Sequence, residues 1–270
     1  MIVIVRGGGD LASGVVYRLI RAGLRVIVTE IEQPKAVRRK VSFAEAVNAG
    51  ETTIEGITAR KVSDPTDTLR ILQIIAKGHL PVLVDPDGQA VLALHPSVIV
   101  DARMTKKPPE PLRHNARLFI GLGPGFEAGK NCHAVIETRR GHSLGRVYWT
   151  GTSEPDSGQP EQVGAQGGER VLRAPVDGEI HALVEIGDIV EAGQAVAEVA
   201  GVIIQTSFKG VVRGLLRSGQ VVSQGVKIGD IDPRLDPLLC ALISDKALAI
   251  GGGVLEAIMS RTELRANFWA

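Results

Sequence analysis

The sequence predicts an α/β protein in which a parallel-sheet domain precedes a small all-β domain. Three observations lead to this prediction. The chain begins with a short apolar strand, a run of glycines and an amphipathic helix, all within residues 2–21. Strand-like and helix-like segments then alternate as far as Asp101, which is typical of parallel strands joined by right-handed crossovers. Beyond residue 168, a segment punctuated by turn glycines occurs twice, which indicates short β-strands.

Composition excludes several functional classes. The 270 residues, 44% apolar and 23% charged, are typical of a globular chain with one large or two ordinary domains. The formal net charge of +1 gives no bulk attraction to nucleic acid or to an anionic membrane. Two cysteines far apart indicate a reducing compartment and no zinc cluster. The apolar start soon meets Arg6 and is too short for a signal peptide or membrane span, so we expect a cytoplasmic protein.

The N-terminal segment fits the first half of a Rossmann-like fold. Residues 2–5 are predicted as a buried strand, and the turn Gly7-x-Gly9-x-x-Ala12 leads into a helix. The second strand ends at Glu30, where an acid can meet a ribose hydroxyl. Asp10 is expected to cap the helix, and its carboxylate would then take the place of a pyrophosphate. Two interpretations stay open: a dinucleotide site, or a self-capped turn that no longer binds NAD.

Charged residues follow the predicted strands at their carboxyl ends. These residues are Glu30, Asp85, Asp101 and Arg103. Since parallel strands end at the same edge of a sheet, we expect the four side chains at the edge where open α/β sheets bind ligands. The basic cluster at residues 35–40 lies beyond the second strand. It is either a solvated helix face or a loop that faces an anion.

Two further turns carry groups suited to an oxyanion. One is a glycine loop at the end of a predicted strand, and the other follows the next strand and carries two arginines. Backbone N–H groups together with guanidinium groups suit a phosphate or another oxyanion. The alternative is an ordinary surface hairpin. The residues concerned are Gly121, Gly123, Gly125, Arg139, Arg140 and His142.

Cys132 is the weak candidate for a catalytic residue. Nearby basic residues could depress the pKa of its thiol and make it a nucleophile or a sulfur or selenium acceptor. The competing interpretation is an inert, buried strand residue. Cys240 lies in an apolar run and is expected in the core.

The predicted domain organisation has four parts. Residues 1–150 form the Rossmann-like domain, and residues 151–168, rich in Gly, Ser, Glu, Gln and Pro, form a flexible linker or loop. Residues 169–233 form the all-β domain, and residues 234–270 form a C-terminal helical segment. Within that last segment, Gly251, Gly252 and Gly253 are expected to break the helix or to let another backbone come close.

The all-β domain contains an internal repeat. Residues 178–193 are echoed by residues 210–225, with turn glycines at the same places. This spacing resembles the barrel-sandwich hybrid fold of biotinyl and lipoyl carriers. Those carriers bear a modified lysine in the hairpin between the two halves, whereas the hairpin at residues 199–202 has none. We therefore expect the fold without the carrier function, and no biotin or lipoate.

Six longer blocks of the sequence carry a family resemblance: residues 6–14, 29–34, 38–39, 41–46, 121–126 and 140–146. They resemble the YqeB family, accessory proteins associated with selenium-dependent molybdenum hydroxylases. The resemblance covers essentially the whole chain, and the family is loosely similar to the xanthine dehydrogenase accessory proteins. It implies a role in maturing those hydroxylases, in handling their molybdenum cofactor or its selenium. That cofactor is a pterin with a phosphate, sometimes with an attached nucleotide.

The sequence and this resemblance together lead to one functional hypothesis. The protein is expected to be a maturation factor that binds molybdopterin or a nucleotide-like anion at the carboxyl edge of the sheet. Its expected partner is a client hydroxylase. No metal site is expected, and self-association and catalysis stay open. The alternatives are an NAD-dependent oxidoreductase and a non-catalytic docking scaffold. The predicted ligand-binding residues are Arg6, Gly7, Gly8, Gly9, Asp10, Ser13, Glu30, Gly121, Gly123, Gly125, Arg139, Arg140 and His142.

Overall fold

A computed structural model describes residues 1–110, 112, 114–156 and 167–266. The described chain divides into two compact units. The first comprises residues 1–34, 42–156 and 243–266, and the second comprises residues 35–41 and 167–242. The protein is a mixed α/β chain with one large, mostly parallel sheet and several small antiparallel sheets.

The first unit is built on a nine-stranded sheet, in which the central strands are parallel and the two edge strands antiparallel. Its strands, in chain order, are β1 (Ile2–Arg6), β2 (Arg25–Glu30), β3 (Glu51–Ile54), β4 (Ile57–Val62), β5 (Leu80–Val84), β6 (Val98–Asp101), β7 (Leu118–Leu122), β9 (Ala134–Ile136) and β10 (Val147–Tyr148). Between them, β8 (Glu127–Ala128) pairs with β11 (Gly151–Thr152) in a separate ribbon. The order across the sheet is β10-β9-β7-β6-β1-β2-β5-β4-β3.

The helices of the first unit are short, apart from the first and the fifth. They are α1 (Asp10–Arg21), α2 (Glu45–Ala49), α3 (Thr68–Ala76), α4 (Gln89–Leu94), α5 (Asp245–Met259) and α6 (Thr262–Arg265). The apolar face of α1 carries Val15 and Leu19. These side chains are buried in one core with Ile250 and Val254 of α5 and with alternate residues of the sheet. Burial of these side chains from water holds the helices on the sheet.

The three glycines of α5 do not break the helix, so that part of the prediction was wrong. Gly251 and Gly253 are buried, and a Cβ on Gly251 would lie 2.9 Å from the Arg18 side chain and would clash with the Gly14 backbone. A Cβ on Gly14 would in turn clash with Ala247. The other alternative is confirmed: the glycines let the backbones of α1 and α5 come close. Packing between helices offsets the low helix propensity of glycine.

The second unit consists of two four-stranded antiparallel sheets. The sheet orders are β12-β19-β17-β14 and β16-β15-β13-β18. The two copies of the sequence repeat exchange strands, since β14 of the first copy pairs with β17 of the second and β13 pairs with β18. The strands are β12 (Val171–Arg173), β13 (Gly178–Ala182), β14 (Ile189–Val190), β15 (Ala195–Val199), β16 (Val202–Gln205), β17 (Gly210–Leu215), β18 (Val221–Val222) and β19 (Lys227–Asp232).

The basic cluster at residues 35–40 belongs to this second unit. Arg38 donates to the carbonyls of Leu239 and Leu242 at 3.4 and 3.2 Å. Arg39 Nε donates to the Leu215 carbonyl at 2.8 Å, and Lys40 donates to a carbonyl of the same unit. These side chains therefore bind backbone oxygens, so the cluster is neither a solvated helix face nor a loop that faces an anion.

The predicted domain boundaries differ from the observed ones. Residues 35–41 fall in the second unit because their side chains bind its backbone, and α5 falls in the first because its buried face packs on α1. Gly151–Thr152, predicted as linker, is a strand. Residues 157–166 of that predicted linker lie outside the described chain.

One stretch, Pro237–Met259, is long and apolar enough by composition to cross a membrane, with a mean hydropathy of 1.7. Core helices pass the same test. In this stretch the α-helix begins only at Asp245, and its buried residues pack in the core of the first unit.

Candidate functional site at the carboxyl edge of the sheet

The glycine turn after β1 is bound by groups of the protein itself. Gly8 N–H donates to Glu30 Oε1 at 2.7 Å, and Ile31 N–H donates to Oε2 at 3.0 Å. Burial raises the pKa of Glu30, although these two hydrogen bonds act in the opposite direction. Gly7 N–H donates to the Thr29 carbonyl at 2.8 Å. Glu30 therefore binds the turn, at the point where the sequence suggested a ribose hydroxyl.

The segment before α2 covers the same turn. Ala44 N–H donates to the Gly8 carbonyl at 2.9 Å, and a Cβ on Gly8 would lie 2.8 Å from that nitrogen. Phe43 N–H donates to Ser13 Oγ at 3.2 Å, and Ser13 Oγ donates to the Gly9 carbonyl at 3.1 Å. Ser13 is buried by these contacts. Gly8 and Ser13 thus serve the packing of this segment on the turn.

Asp10 does not cap α1, so that prediction was wrong. The N-cap residue is Gly9, whose backbone is extended and which has no side chain to bind the first turn. Asp10 is the first helical residue, and a cap must stand one position earlier, outside the helical conformation. The N-cap residue of α1 therefore contributes no side-chain hydrogen bond.

Three charged residues meet where β1 and β6 end. Arg6 Nη1 lies 3.3 Å from Asp101 Oδ2, and Arg103 Nη2 lies 2.7 Å from the same oxygen. Arg103 Nη1 also reaches Glu110 at 3.3 Å. Burial lowers the pKa of Arg6, and the charge of Arg103 adds to that effect despite the opposing charge of Asp101. The hydrogen bonds to Asp101 raise the pKa of Arg103.

The glycine turn and this charged cluster are in contact. A Cβ on Gly7 would lie 3.1 Å from the Arg103 Cα, so the absence of a side chain lets the two backbones approach. Gly7 has a φ of 90°, which favours glycine. Asp85 has a different role from the charged cluster. It accepts hydrogen bonds from the N–H groups of Gln89 and Ala90 at 2.8 and 2.9 Å and so binds the start of α4.

The second glycine loop borders the segment that follows Arg103. A Cβ on Gly123 would lie 3.3 Å from Met104 Cε and would clash with Thr138 Oγ1. A Cβ on Gly125 would lie 3.0 Å from Lys107 N, and one on Gly121 would clash with the Phe126 ring. All three glycines therefore allow close packing. Residues 102–107 lie between this loop and the glycine turn after β1.

The predicted arginines beyond β9 are bound to acids. Arg139 Nη1 lies 2.6 Å from Glu154, and Arg140 binds Asp245 with two hydrogen bonds of 2.6 and 2.7 Å. Both arginine side chains are exposed. His142 is exposed as well, and its carbonyl accepts from Arg146 Nε at 3.3 Å. These partners of Arg139 and Arg140, Glu154 and Asp245, lie outside both glycine loops.

Sequence reasoning missed Glu137. This carboxylate is completely buried and accepts three backbone hydrogen bonds of 2.8 Å, from Thr138, Arg139 and Glu154. It fixes the turn that carries the two arginines. The signal was present, since Glu137 directly follows a strand as Asp85 does, and Glu30 is the last residue of one.

Cys132 lies in an apolar core beside Phe119 and Phe126. Burial raises the pKa of its thiol to about 11, although backbone hydrogen bonds act in the opposite direction. Lys130 binds Glu127 at 3.1 Å, and His133 Nδ1 accepts from Phe119 N–H at 2.8 Å. The thiol is thus protonated at neutral pH, which favours the inert interpretation. Among the described residues, no group of three or more His, Cys, Asp or Glu could hold a metal ion.

Comparisons with known proteins give one strong similarity. No protein-family model matches the sequence. The chain is 44% identical over 258 residues to the "Uncharacterized protein YqeB" of Escherichia coli (strain K12). The alignment covers 96% of this chain and 47% of that protein, so the chain spans about half the length of its relative. A solved aspartoacylase family protein from Mesorhizobium loti is 11% identical over 85% of this chain and 84% of its own, with a TM-score of 0.25, which is too low to support an argument.

Proposed function

Starting from membership of the YqeB family, which the 44% identity over 96% of the chain supports, we propose that this protein is an accessory factor for a selenium-dependent molybdenum hydroxylase. It holds an anionic ligand, molybdopterin or a nucleotide-like group, at the carboxyl edge of the sheet in its first unit. One observation supports this site above all: the glycine turn that leads into α1 packs against Arg103, since a Cβ on Gly7 would lie 3.1 Å from the Arg103 Cα. The protein binds this ligand in the cytoplasm, and whether it also catalyses a reaction stays open.

A ligand can replace one of the ion-pair partners at this edge. Arg103 is 24% exposed, and its second partner, Glu110, is 85% exposed. Such ion pairs contribute only about 0–1 kcal/mol, because water competes for both charges. A phosphate forms stronger, two-pronged hydrogen bonds with a guanidinium and also binds free N–H groups at a helix start. An anionic ligand can therefore replace Glu110 as the partner of Arg103.

The same geometry gives less support to an NAD-dependent oxidoreductase. Both oxygens of Glu30 accept backbone hydrogen bonds, and the segment with Phe43 and Ala44 covers Gly8 and Ser13. A dinucleotide needs this turn for its pyrophosphate and the acid for its ribose. We therefore place the ligand against Arg103 and the start of α1 rather than in the usual dinucleotide position.

We also propose a fold type for each of the two units. We infer a Rossmann-like domain from the β1-α1-β2 unit and from the position of β1 between β2 and β6. The strand exchange between the repeats supports a barrel-sandwich hybrid in the second unit. The turn between Val199 and Val202 contains no lysine, so this unit is not proposed as a carrier of biotin or lipoate. We propose instead that it is a docking surface for the client enzyme.

Equilibrium binding at low salt tests the proposed site. Molybdopterin, its nucleotide forms and simple nucleotides would be titrated against the full chain, with NADH as the competing ligand. We expect Arg103→Met to weaken binding of the best anionic ligand at least tenfold, whereas Arg117→Met, an exposed arginine just before β7 at the opposite edge, leaves it unchanged. Near-ultraviolet circular dichroism would establish that both variants are folded. Absence of binding by every anionic ligand would refute the proposal, and selective binding of NADH would favour the oxidoreductase.

A further inference from the structure

A short segment after β6 bends back on itself and brings an acid to the arginine of the proposed ligand site. This segment, which we call the strap, comprises residues 102–110. Arg103 lies near its start and Glu110 at its end. Arg103 Nη1 donates to Glu110 Oε2 at 3.3 Å, so this ion pair closes the strap into a loop.

Asp101 and Glu110 bind different sides of the Arg103 guanidinium. Asp101 accepts from Nε at 3.0 and 3.1 Å and from Nη2 at 2.7 Å, so it takes the fork that these two nitrogens form. The other fork of a guanidinium consists of Nη1 and Nη2. Glu110 makes one long hydrogen bond there, through Nη1. An oxyanion that binds both nitrogens of this second fork therefore competes with Glu110 and not with Asp101.

The two acids also differ in how easily they can leave the arginine. The Asp101 side chain is 2% exposed, whereas that of Glu110 is 85% exposed. A buried carboxylate that lost its partner would be left uncompensated. Glu110 is instead solvated by water as soon as it leaves, and an exposed ion pair of this kind is weak. Glu110 is therefore the partner of Arg103 that a ligand can displace.

The backbone of the strap keeps Glu110 close to the arginine. Met104 and Lys106 have φ values of 55° and 59°, in the left-handed region that is unfavourable for residues other than glycine. Pro108 and Pro109 directly precede Glu110, and their fixed φ angles stiffen the approach to it. Strained backbone persists only where the surrounding structure imposes it, and it is common in segments that clamp ligands or switch.

We propose that Glu110 is a built-in competitor of the anionic ligand, an inference that rests on the function proposed above. Its carboxylate binds the second fork of Arg103, and an incoming anion displaces it in order to bind there. Because the strap tethers Glu110 beside the arginine, the carboxylate competes at a high effective concentration. Glu110 thus lowers the affinity for every anion and admits only those that bind Arg103 strongly enough to replace a carboxylate.

Calorimetric titration of the full chain with inorganic phosphate at low salt tests this competition, since phosphate is the group that molybdopterin and nucleotides share. We expect Glu110→Gln to bind phosphate about threefold to fivefold more tightly than the unaltered protein, in line with the strength of an exposed ion pair. Glu110→Asp keeps the charge but shortens the side chain, and its affinity should be intermediate. Glu32→Gln is the matched control, because it removes the same charge from an exposed residue just after β2, and it should leave the affinity unchanged.

The outcomes separate this inference from the proposed function. Equal affinity of Glu110→Gln and the unaltered protein, with loss of binding in Arg103→Met, would overturn the competition and leave the ligand site in place. An equal gain in Glu32→Gln, or no gain in Glu110→Asp, would assign the effect to charge rather than to pairing with Arg103 and would overturn it as well. If Glu110→Gln bound no phosphate, the competition would also be refuted, while the titrations with larger ligands would still decide the proposed function.

Discussion

Two turns of the molecule, one in each unit, share the short pattern Asp-x-Arg and differ in the residues that surround them. Asp101 ends β6 and Asp232 ends β19, and each accepts hydrogen bonds from the arginine two residues later. Arg103 N–H and Nη2 donate to Asp101 at 3.2 and 2.7 Å. Arg234 N–H and Nη2 donate to Asp232 at 3.1 and 2.6 Å. The pattern Asp-x-Arg at a strand end thus forms the same hydrogen-bonded turn twice.

The difference lies in the charges that distant parts of the chain bring to each turn. At Asp101, Arg6 and Arg103 are matched by Asp101 and Glu110. At Asp232, Arg234 lies at 2.6 Å and Arg213 at 3.8 Å from the same carboxylate oxygen, and Arg234 is 47% exposed. Local sequence thus sets the geometry of the turn, whereas residues far away in sequence set the charges and the burial around it.

The largest expected difference between the two turns follows removal of the carboxylate. Asp101→Ala leaves Arg6 buried without its acid, and breaking a buried pair in this way costs about 3–5 kcal/mol. Asp232→Ala should cost only about 1–3 kcal/mol, because Arg234 is 47% exposed and regains water. Hydrogen exchange of peptides from each unit, measured by mass spectrometry, would report the two stabilities separately.

Asp64→Ala is a suitable control for both substitutions, because Asp64 is exposed and accepts only local hydrogen bonds from Thr66. It should change the exchange of either unit little. Equal losses of stability for Asp101→Ala and Asp232→Ala would mean that the burial of Arg6 does not distinguish the two turns.

A smaller difference is expected when the arginine is removed instead. Arg103→Met should destabilise the first unit by about 1.5–3 kcal/mol, since it deletes charge-assisted hydrogen bonds to a buried carboxylate. Arg234→Met should cost the second unit about 0.5–1.5 kcal/mol because its guanidinium is half exposed and Arg213 stays beside Asp232. Urea denaturation at neutral pH, with the same peptides as reporters, measures both. A larger loss for Arg234→Met would reverse the comparison.

The smallest expected effect concerns acid stability of the second turn. Burial acts to raise the pKa of Asp232, but the hydrogen bonds and charge of Arg234 and the charge of Arg213 prevail and lower it. Its stabilising contribution is therefore complete above the ordinary aspartate pKa and is lost as the pH falls through the lowered value. Asp232→Asn should flatten the decline of stability of the second unit between about pH 5 and pH 2. An unchanged decline would show that Asp232 is not stabilised by these arginines.

Local sequence patterns predicted much of the secondary structure of the first unit. The strand, glycine turn, helix and second strand of residues 2–30 are confirmed, because apolar periodicity and turn glycines act over short distances. Asp101 and Arg103 lie at the carboxyl edge with Arg6, as expected for the ends of parallel strands. The shared turn at Asp232 was not recognised, although the same pattern of residues was visible there.

The sequence could not predict contacts that depend on packing between distant segments. Glu30 accepts from Gly8 N–H, and Ala44, from a segment more than thirty residues further along, donates to the Gly8 carbonyl. The arginines at positions 38 and 39 bind carbonyls about two hundred residues away in sequence. None of these outcomes has a local signature.

The close contact between the glycines of α1 and α5 has a consequence for biosynthesis. Gly14 is synthesised before the second unit, whereas Gly251 leaves the ribosome only after the whole second unit has been made. The apolar face of α1 therefore stays without its helical neighbour while the second unit emerges and can already fold. During that interval the nascent first unit exposes the surface that α5 later buries, and a chain interrupted before residue 245 would present that surface to chaperones and proteases.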